Sequence, residues 1–229
     1  RKNWPEIRRR AGMIFQNPDN QIVGMTLEED VAFGPGNLGL PADEIRRRVD
    51  NSLAQVGLAG LQKRSPHTLS GGQKQLLALA GLLAMQPQYI LLDEPTSSLD
   101  PEASQQVLSL LQELKERGLG IIQITHHMEE AARADRMLVM DQGRIVEDGK
   151  PADVLCQVDK IKALGLAPPR ITELMWLLHN NGEIVRTDIL DVESAFQEIT
   201  SLLSKLRSYS RPNLQGKVEE FEIGRASCR

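Results

Sequence analysis

Residues 69–100 read LSGGQKQLLALAGLLAMQPQYILLDEPTSSLD, a stretch in which a helix pattern is followed by a strand pattern. The first part predicts a helix over Leu69–Met85, because a proline two residues later cannot continue it. The apolar run Tyr89–Leu92 predicts a strand of the kind that is covered on both faces. Asp93 and Glu94 follow this strand directly, and open α/β sheets place their ligands at that end.

The same alternation of strands and helices extends on both sides of this stretch. A loop rich in Asn, Asp and Gly is expected between the first strand and the first helix. The rhythm predicts an α/β fold in which a parallel or mixed sheet is flanked by helices. The predicted strands are Arg10–Phe15, Tyr89–Leu92 and Ile121–Thr125, the predicted helices are Pro41–Val56, Leu69–Met85, Pro101–Arg117 and Met128–Ala134, and Met137–Val146 is a predicted hairpin that turns at Gln142–Gly143.

The rhythm changes near Gly149, and the segments that follow are mostly helical, as in a small C-terminal appendage. The last eight residues, EIGRASCR at 222–229, resemble the translation of a sequencing adapter, so they are excluded from the fold. Cys156 is then the one natural cysteine, and we interpret it as a small buried apolar group. The helices predicted in the appendage cover residues 161–166, 171–179 and 192–206.

The composition excludes several classes of protein. The 229 residues include 41% hydrophobic residues and 27 Lys and Arg against 31 Asp and Glu, a formal net charge of -4. These values are typical of a soluble globular protein, so collagen, coiled coils and wholesale disorder are excluded, and no nucleic-acid partner is expected. The longest apolar run, Leu76–Met85, has about half the length that crosses a bilayer. With two cysteines and no leader pattern, we expect a cytoplasmic protein without a disulfide framework.

Ser70, Gly71, Gly72 and Gln73 are candidate ligand-binding residues at the start of the predicted helix. Two glycines at a helix N-terminus expose backbone N–H groups, and the helix dipole adds positive potential there, so the site suits a phosphate group. A structural interpretation is equally open, because Ser70 and Gln73 have the spacing of a capping box.

Asp93 and Glu94 form an acidic pair that suggests a Mg²⁺ ligand beside a general base. A cation that is bound together with phosphates needs one or two carboxylates, and a water that attacks phosphorus needs a proton acceptor. Pro95 is expected to hold Glu94 in an extended backbone conformation. A solvated acidic turn after a core strand is the alternative interpretation.

His126 and Asp100 are two further candidates. His126 ends the predicted strand Ile121–Thr125, so its imidazole lies at the same sheet edge as Glu94 if the two strands are neighbours, and it can then donate to a terminal phosphate. A polar residue at a strand end is the alternative. Asp100 precedes Pro101 in the positions of a helix N-cap and a first helical residue, a structural role that by itself explains both residues.

Five motifs of this chain occur in the order that is characteristic of one family. They are FQNPDNQ at 15–21, LSGGQ at 69–73, YILLDEP at 89–95, SSLD at 97–100 and ITHH at 124–127. In this order they resemble the ATPase domains of ABC proteins over about residues 7–149. Residues 17–41 and 161–178 are similar to the ATPase subunits of energy-coupling-factor importers, which include cobalt and vitamin systems.

The resemblance implies a set of catalytic and metal-binding residues. Gln16 corresponds to the glutamine of the Q-loop, which contacts Mg²⁺ and the attacking water and relays motion to the helical subdomain. Asp93 corresponds to the Walker B aspartate that helps to hold Mg²⁺, Glu94 to the catalytic glutamate, and His126 to the switch histidine. His127 departs from the acidic residue that is usual at its position, a change that we expect to be tolerated.

The resemblance also implies a second subunit. Ser70, Gly71, Gly72 and Gln73 correspond to the signature motif, which completes the ATP site of the opposite subunit, and Asp100 corresponds to the D-loop aspartate. The expected cofactors are ATP and Mg²⁺, and two subunits would hold two ATP molecules between them. The C-terminal helices would help to dimerise, or would only cap the sheet.

A phosphate-binding loop of the form G-x-x-x-x-G-K-[ST] occurs nowhere in the 229 residues. Residues 143–150 have one intervening residue too many. Residues 34–39 match G-x-G-x-x-G in letters, but a proline interrupts them, so a Rossmann loop is not expected. In the family this loop lies upstream of the Q-loop, so we expect an N-terminally truncated domain that by itself binds ATP weakly or not at all.

The expected organisation is a partial P-loop NTPase-like ABC ATPase domain at 1–149, with a sheet core and a helical subdomain at about 17–87, followed by a helical extension at 150–221. The expected function is ATP hydrolysis that powers uptake of a vitamin or a transition-metal ion. The expected partners are a second ABC ATPase subunit, a transmembrane coupling subunit and a substrate-binding membrane subunit, which place the chain at the cytoplasmic face of the membrane. The alternatives are an ABC ATPase of DNA repair or chromosome structure, and a non-catalytic module that lends its signature motif to a partner.

Overall fold

The computed structural model describes the backbone of residues 4–209 and the side chains of residues 6–204. Cys228, the adapter-like segment at 222–229 and the end of the predicted extension at 210–221 lie outside the described residues. The chain divides after His126 into two compact units. Within 4–209, no helix is both long enough and apolar enough to cross a membrane.

The first unit is built of helices and strands, as the sequence predicts, with three successive helices between its first and second strands. Single 3-10 turns at Pro18–Asn20 and Pro66–Thr68 lie in its longer connections. The helices are α1 (Trp4–Arg10), α2 (Leu27–Asn37), α3 (Ala42–Gln55), α4 (Gly71–Ala84) and α5 (Pro101–Glu116), and the strands are β1 (Ala11–Ile14), β2 (Tyr89–Asp93) and β3 (Gly120–Ile124).

The three strands form a parallel sheet with β2 in the centre, so the predicted α/β class is confirmed. In this register Ile14 pairs with Leu92, and Asp93 pairs with Ile124. Because the strands run in the same direction, their carboxyl ends meet at one edge of the sheet. The side chains that follow the strands are therefore gathered there.

Helix α4 is the centre of the apolar core of the first unit. It is apolar on nearly all sides, which is typical of a buried helix rather than an amphipathic one. Leu77 and Leu79 of α4 are fully buried, and Ile90 and Leu92 of β2 belong to the same cluster of side chains. Each such side chain contributes roughly 1.5–3 kcal/mol of burial free energy. One apolar cluster thus includes side chains of both α4 and the central strand β2.

The segment expected to be a loop rich in Asn, Asp and Gly contains the helix α2, so that prediction is wrong. Thr26 begins the helix with a capping box, in which its Oγ1 accepts the Glu29 N–H (3.4 Å) and the Glu29 carboxylate accepts the Thr26 N–H (3.1 Å). Leu27 and Val31 are fully buried in the core of the first unit. This burial outweighs the low helix propensity of Pro35 and the neighbouring glycines.

The second unit begins with the short helix α6 (Met128–Ala131) and an antiparallel hairpin of β4 (Met137–Asp141) and β5 (Arg144–Gly149). The hairpin turns at Gln142 and Gly143, as predicted, and both residues have the positive φ that a type I′ turn requires. The helices that follow are α7 (Pro151–Leu155), α8 (Val158–Ala163), α9 (Arg170–Asn180) and α10 (Val192–Tyr209). Helices α9 and α10 match the predicted helices, whereas α8 begins and ends three residues earlier than the predicted helix at 161–166.

Helices α9 and α10 of the second unit enclose a small apolar cluster. Met175 of α9 packs with Val185, Ile189 and Ala195, and all four side chains are buried. The hydroxyl of Thr172, which is also buried, donates to the carbonyl of Ile189 at 2.8 Å. This hydrogen bond ties the connection between the two helices to α9.

Candidate functional site

The carboxyl ends of the three parallel strands bring polar side chains to one edge of the sheet. Gln16 follows β1, Asp93 ends β2 and Glu94 comes directly after it, and His126 follows β3. The expectation that the strands carrying Glu94 and His126 are neighbours is confirmed by the pairing of β2 with β3.

Glu94 is hydrogen-bonded on both carboxylate oxygens, to Gln16 and to His126. Gln16 Nε2 donates to Glu94 Oε2 at 2.9 Å, and His126 Nδ1 lies 2.9 Å from Glu94 Oε1. The Glu94 side chain is 25% exposed and that of His126 is 57% exposed, so a ligand can reach both groups from solvent. These contacts join residues that are 78 and 32 positions apart in the chain.

The backbone of Glu94 is left-handed, with φ of 46°, so the predicted extended conformation is wrong. A residue with a β-carbon seldom adopts this conformation unless its surroundings hold it. Here the Glu94 N–H donates to the carbonyl of Ile124 (2.9 Å), and the Glu94 carbonyl accepts the Ser97 hydroxyl (3.1 Å). Ser97 is thus a residue of the site that sequence reasoning missed, since a serine in a turn gives no signal of this contact.

The predicted signature residues form the N-terminus of α4 and contain a complete capping box. Ser70 Oγ accepts the Gln73 N–H (3.3 Å), and Gln73 Oε1 accepts the Ser70 N–H (3.1 Å). The structural interpretation of this motif is therefore correct at the level of hydrogen bonds. It leaves room for a ligand at the helix tip, because Ser70 and Gly71 are both exposed.

The two glycines of this motif have different surroundings. A β-carbon on Gly72 would lie 2.6 Å from the β-carbon of Ala103 in α5, whereas a β-carbon on Gly71 would meet Leu99 Cδ2 at 3.7 Å, an ordinary contact. Gly72 therefore permits the close approach of α4 and α5. Gly71 lies at the accessible end of the helix.

Asp100 has the structural role that the sequence suggests. It is the N-cap of α5, where its Oδ1 accepts the Ala103 N–H at 2.9 Å and Pro101 occupies the first helical position. Asp100 is also exposed, so the cap and a contact with a second molecule are compatible.

The edge of the sheet offers few protein ligands for a metal ion. Within the described part of the chain, no three His, Cys, Asp or Glu side chains are grouped so that they could hold a metal ion. Asp93 supplies one carboxylate, and the Gln16 amide donates through Nε2, which leaves Oε1 as its atom with the chemistry of a metal ligand. This set suits a cation that takes its other ligands from phosphates and water, as Mg²⁺ does.

Cys156 lies in the second unit and is half-buried, so it is less buried than the predicted small buried apolar group. Burial raises the pKa of its thiol, and the carboxylates of Asp188 and Asp153 raise that pKa further. A raised pKa keeps the thiol protonated and unreactive near neutral pH.

Comparison with known proteins gives consistent results. A family model described as "ABC transporter" matches residues 1–97. The chain is 58% identical to the cobalt import ATP-binding protein CbiO of Syntrophus aciditrophicus (strain SB) over 201 residues, 88% of this chain and 71% of that protein. It is 50% identical to the energy-coupling factor transporter ATP-binding protein EcfA1 of Clostridium perfringens over 202 residues, 88% of this chain and 72% of that protein.

A solved structure agrees with these sequence comparisons. CbiO1 from Clostridium perfringens, described as part of the ABC transporter complex CbiONQ, superposes with a TM-score of 0.65 at 41% identity, over 77% of this chain and 71% of that one. The fold and the sequence thus lead to the same group of proteins. The chain belongs to the ABC transporter family, among the ATP-binding subunits of the CbiO and EcfA type, which are ABC ATPases.

Proposed function

We propose that this chain is the ATP-hydrolysing subunit of an energy-coupling-factor importer that takes up a vitamin or a transition-metal ion. The observation that carries the proposal is the hydrogen-bonded group of Gln16, Glu94 and His126 at the edge of the sheet. The names of the relatives, a cobalt import protein and energy-coupling factor transporter proteins, support the choice of transport system.

In the proposed reaction Glu94 is the general base. Its carboxylate accepts a proton from the water that attacks the terminal phosphorus, as the bond from that phosphorus to the bridging oxygen breaks and ADP leaves. Gln16 and His126 hold the two carboxylate oxygens in place. His126 donates to the terminal phosphate through its other nitrogen.

Mg²⁺ is the proposed metal cofactor of the bound ATP, and Asp93 and Gln16 are its proposed protein ligands. When bound, the cation neutralises charge on the phosphate oxygens. Asp93 is the last residue of the central strand, so the sheet fixes the position of its backbone. Gln16 would add a neutral amide oxygen. The chain itself would supply orientation rather than a complete coordination shell.

The signature residues are proposed to act on an ATP molecule held by a second ABC ATPase subunit. Ser70 and Gly71 are exposed at the positive end of α4, where a terminal phosphate is attracted. Gln73 supports Ser70 through the capping box, and Gly72 contributes by letting α4 lie close to α5. Asp100, exposed at the start of α5, would contact the same partner.

A transmembrane coupling subunit is proposed to dock on the segment from Val23 to Phe33. Val23, Met25 and Phe33 expose 62%, 78% and 57% of their surface, although Leu27 and Val31 between them are buried. Exposed apolar side chains that are concentrated on one segment are typical of a protein interface. A substrate-binding membrane subunit would complete the importer, with this chain at the cytoplasmic face.

The proposed domain organisation keeps the β4–β5 hairpin with the ATPase domain, which ends near Gly149, and assigns 150–221 to an extension that helps to dimerise. Helix α10 supports this role, because Val192, Phe196 and Leu203 expose 73%, 65% and 52% of their surface while Ala195 is buried on another face. Helix α10 thus has apolar side chains on a buried face and on an exposed face. The exposed apolar face is available for a partner.

The proposed function is tested with a chimera in which the upstream phosphate-loop segment of the cobalt-import relative precedes this chain. The chimera should hydrolyse ATP. Glu94→Gln should keep ATP binding and lower turnover by about 10²–10⁴-fold, since it removes the base and little volume. Glu102→Gln, at an exposed glutamate in the first turn of α5, is the matched control and should leave turnover unchanged. Equal turnover of the chimera and its Glu94→Gln variant would refute the assignment.

A further inference from the structure

The loop that carries Gln16 is folded back onto β1 by the side chain of Gln21. Gln21 Oε1 accepts the Phe15 N–H at 2.9 Å, and Gln21 Nε2 donates to the Met13 carbonyl at 3.1 Å. In the described sheet β1 is an outer strand that pairs with β2. One side-chain amide thus gives β1 the acceptor and the donor that a further strand would provide.

The turn between Gln16 and Gln21 is closed by its own hydrogen bonds. Asn17 Oδ1 accepts the Asp19 N–H at 2.9 Å, and the Gln21 N–H donates to the Pro18 carbonyl at 3.0 Å. This single 3-10 turn reverses the chain, so that Gln21 returns to the end of β1.

A second anchor joins the turn to helix α4. Lys74 Nζ and Asp19 Oδ1 form an ion pair at 2.7 Å, and the Lys74 side chain is 19% exposed. A cation close to a helix N-terminus is unfavourable because of the helix dipole, and Asp19 offsets this effect. The turn is therefore held on one side by β1 and on the other by α4.

We propose that Gln21 is a positioning residue for Glu94, because it fixes the backbone from which Gln16 reaches the carboxylate. Phe15, whose N–H is held by Gln21, is bonded directly to Gln16, and Gln16 Nε2 is 2.9 Å from Glu94 Oε2. Gln16 is exposed, so packing restrains its side chain little and its direction depends on the loop backbone. The value of this contact for catalysis rests on the proposed function, whereas its geometry does not.

The alternative is a purely structural role, called the staple role below, in which Gln21 stabilises the loop without affecting Gln16. The two roles differ in one measurable quantity, which is the change in chemical shift of the Gln16 side-chain amide when its acceptor Glu94 is replaced. If Gln21 positions Gln16, the loss of Gln21 weakens the Gln16–Glu94 hydrogen bond. If Gln21 has only the staple role, the Gln16–Glu94 hydrogen bond persists when Gln21 is replaced, and only the Phe15 N–H becomes accessible to solvent.

The experiment uses the full chain, labelled with ¹⁵N and without nucleotide. The shift of the Gln16 side-chain amide resonances on Glu94→Gln is measured in the unmodified chain and in a Gln21→Met background. We expect Gln21→Met to reduce that shift by about half or more, because hydrogen bonds weaken steeply with misalignment. We also expect amide hydrogen exchange at Phe15 to become at least about tenfold faster.

Two further variants complete the test. Gln62→Met removes one hydrogen bond of a similarly half-buried glutamine, from Gln62 Nε2 to Asp50 Oδ1 at 3.3 Å, and should leave the Gln16 response unchanged. Gln21→Glu keeps an acceptor for the Phe15 N–H but loses the donor to Met13. The Gln16 response in this variant should therefore fall between that of the unmodified chain and that of Gln21→Met. If Gln21→Met does not fold, Gln21→Glu decides the question by the same response.

A full-sized Gln16 response in Gln21→Met, or in Gln21→Glu if only that variant folds, would overturn the proposal and assign Gln21 the staple role. Because no nucleotide is present, the result is independent of whether the chimera hydrolyses ATP. A chimera without turnover would refute the proposed function and leave the positioning contact standing.

Discussion

The edge of the sheet and the tip of α4 are two polar regions of one unit, but they are built in opposite ways. At the edge, Glu94 is held by Gln16 and His126, which are 78 and 32 residues away in sequence. At the tip, Ser70 and Gln73 hold each other across three residues. The edge depends on the register of the sheet, whereas the tip depends on local helix geometry. Substitutions at the edge should therefore change chemistry and spare stability, whereas those at the tip should lower stability.

The largest effect is expected at the edge, in the activity of the chimera. His126→Ala should lower ATP turnover by about 10²–10³-fold, because it removes one donor to the charge that develops on the terminal phosphate. Steady-state hydrolysis measures this loss. His127→Ala removes the adjacent imidazole and should change turnover little. Similar losses in both variants would mean that the edge has no special role for His126.

The second effect concerns stability and separates the two glycines at the tip. Gly72→Ala should lower the free energy of unfolding by about 1–3 kcal/mol, because its new β-carbon would lie 2.6 Å from that of Ala103 and overpack the helix contact. Gly71→Ala has an ordinary contact and should leave stability unchanged or slightly higher. Urea denaturation of the chain measures both values. Equal stabilities would show that α4 and α5 can separate without cost.

The contrast between local and distant contacts also explains what the sequence could predict. The bounds of α4 and β2, the Asp100 cap and the turn at Gln142 were predictable because a few neighbouring residues determine them. Helix α2 was not predicted because its glycines and Pro35 suggest a loop, although Thr26 and Glu29 have the spacing of a capping box.

The missed parts of the site have a common physical cause. Gln21 and Ser97 act by hydrogen bonds to backbone atoms, which every residue offers, so their side-chain type does not reveal the partner. The left-handed backbone of Glu94 was also missed, because it depends on Ile124 in the neighbouring strand. Placing the acidic pair and the imidazole at one edge was possible from strand order, but their hydrogen bonds require the register.

A smaller difference in the free energy of unfolding is expected between a variant of the cap at the tip and a variant of a side chain at the edge. Ser70→Ala should lower the free energy of unfolding by about 1 kcal/mol, since it removes the acceptor for the Gln73 N–H. Gln16→Ala should stay within about 0.5 kcal/mol, because its side chain is exposed and contributes to the site rather than to the core. Thermal unfolding of the two variants checks the order. A larger loss for Gln16→Ala would make the edge a structural element of the first unit.

The smallest effect is expected for an exposed ion pair in the second unit, which sets the lower end of this comparison. Arg136 donates to both carboxylate oxygens of Asp148 in the hairpin (2.7 and 2.6 Å), and this guanidinium lowers the pKa of Asp148 below its usual value. A carboxyl with a lowered pKa in the folded state stabilises the protein above its ordinary pKa, and that contribution is lost as the pH falls through the lowered pKa. Solvent and salt screen the exposed pair, so the effect is small.

Asp148→Asn should therefore lower the melting temperature slightly at pH 7, and the difference from the unmodified chain should disappear as the pH is lowered below about 4. Thermal melts at successive pH values measure it, with Asp141→Asn in the same hairpin as the matched control. A loss at pH 7 as large as that of Ser70→Ala would mean that exposed charge pairs stabilise this chain as much as a helix cap does. The difference between the edge and the tip would then reflect charge rather than the distance of the contacts along the chain.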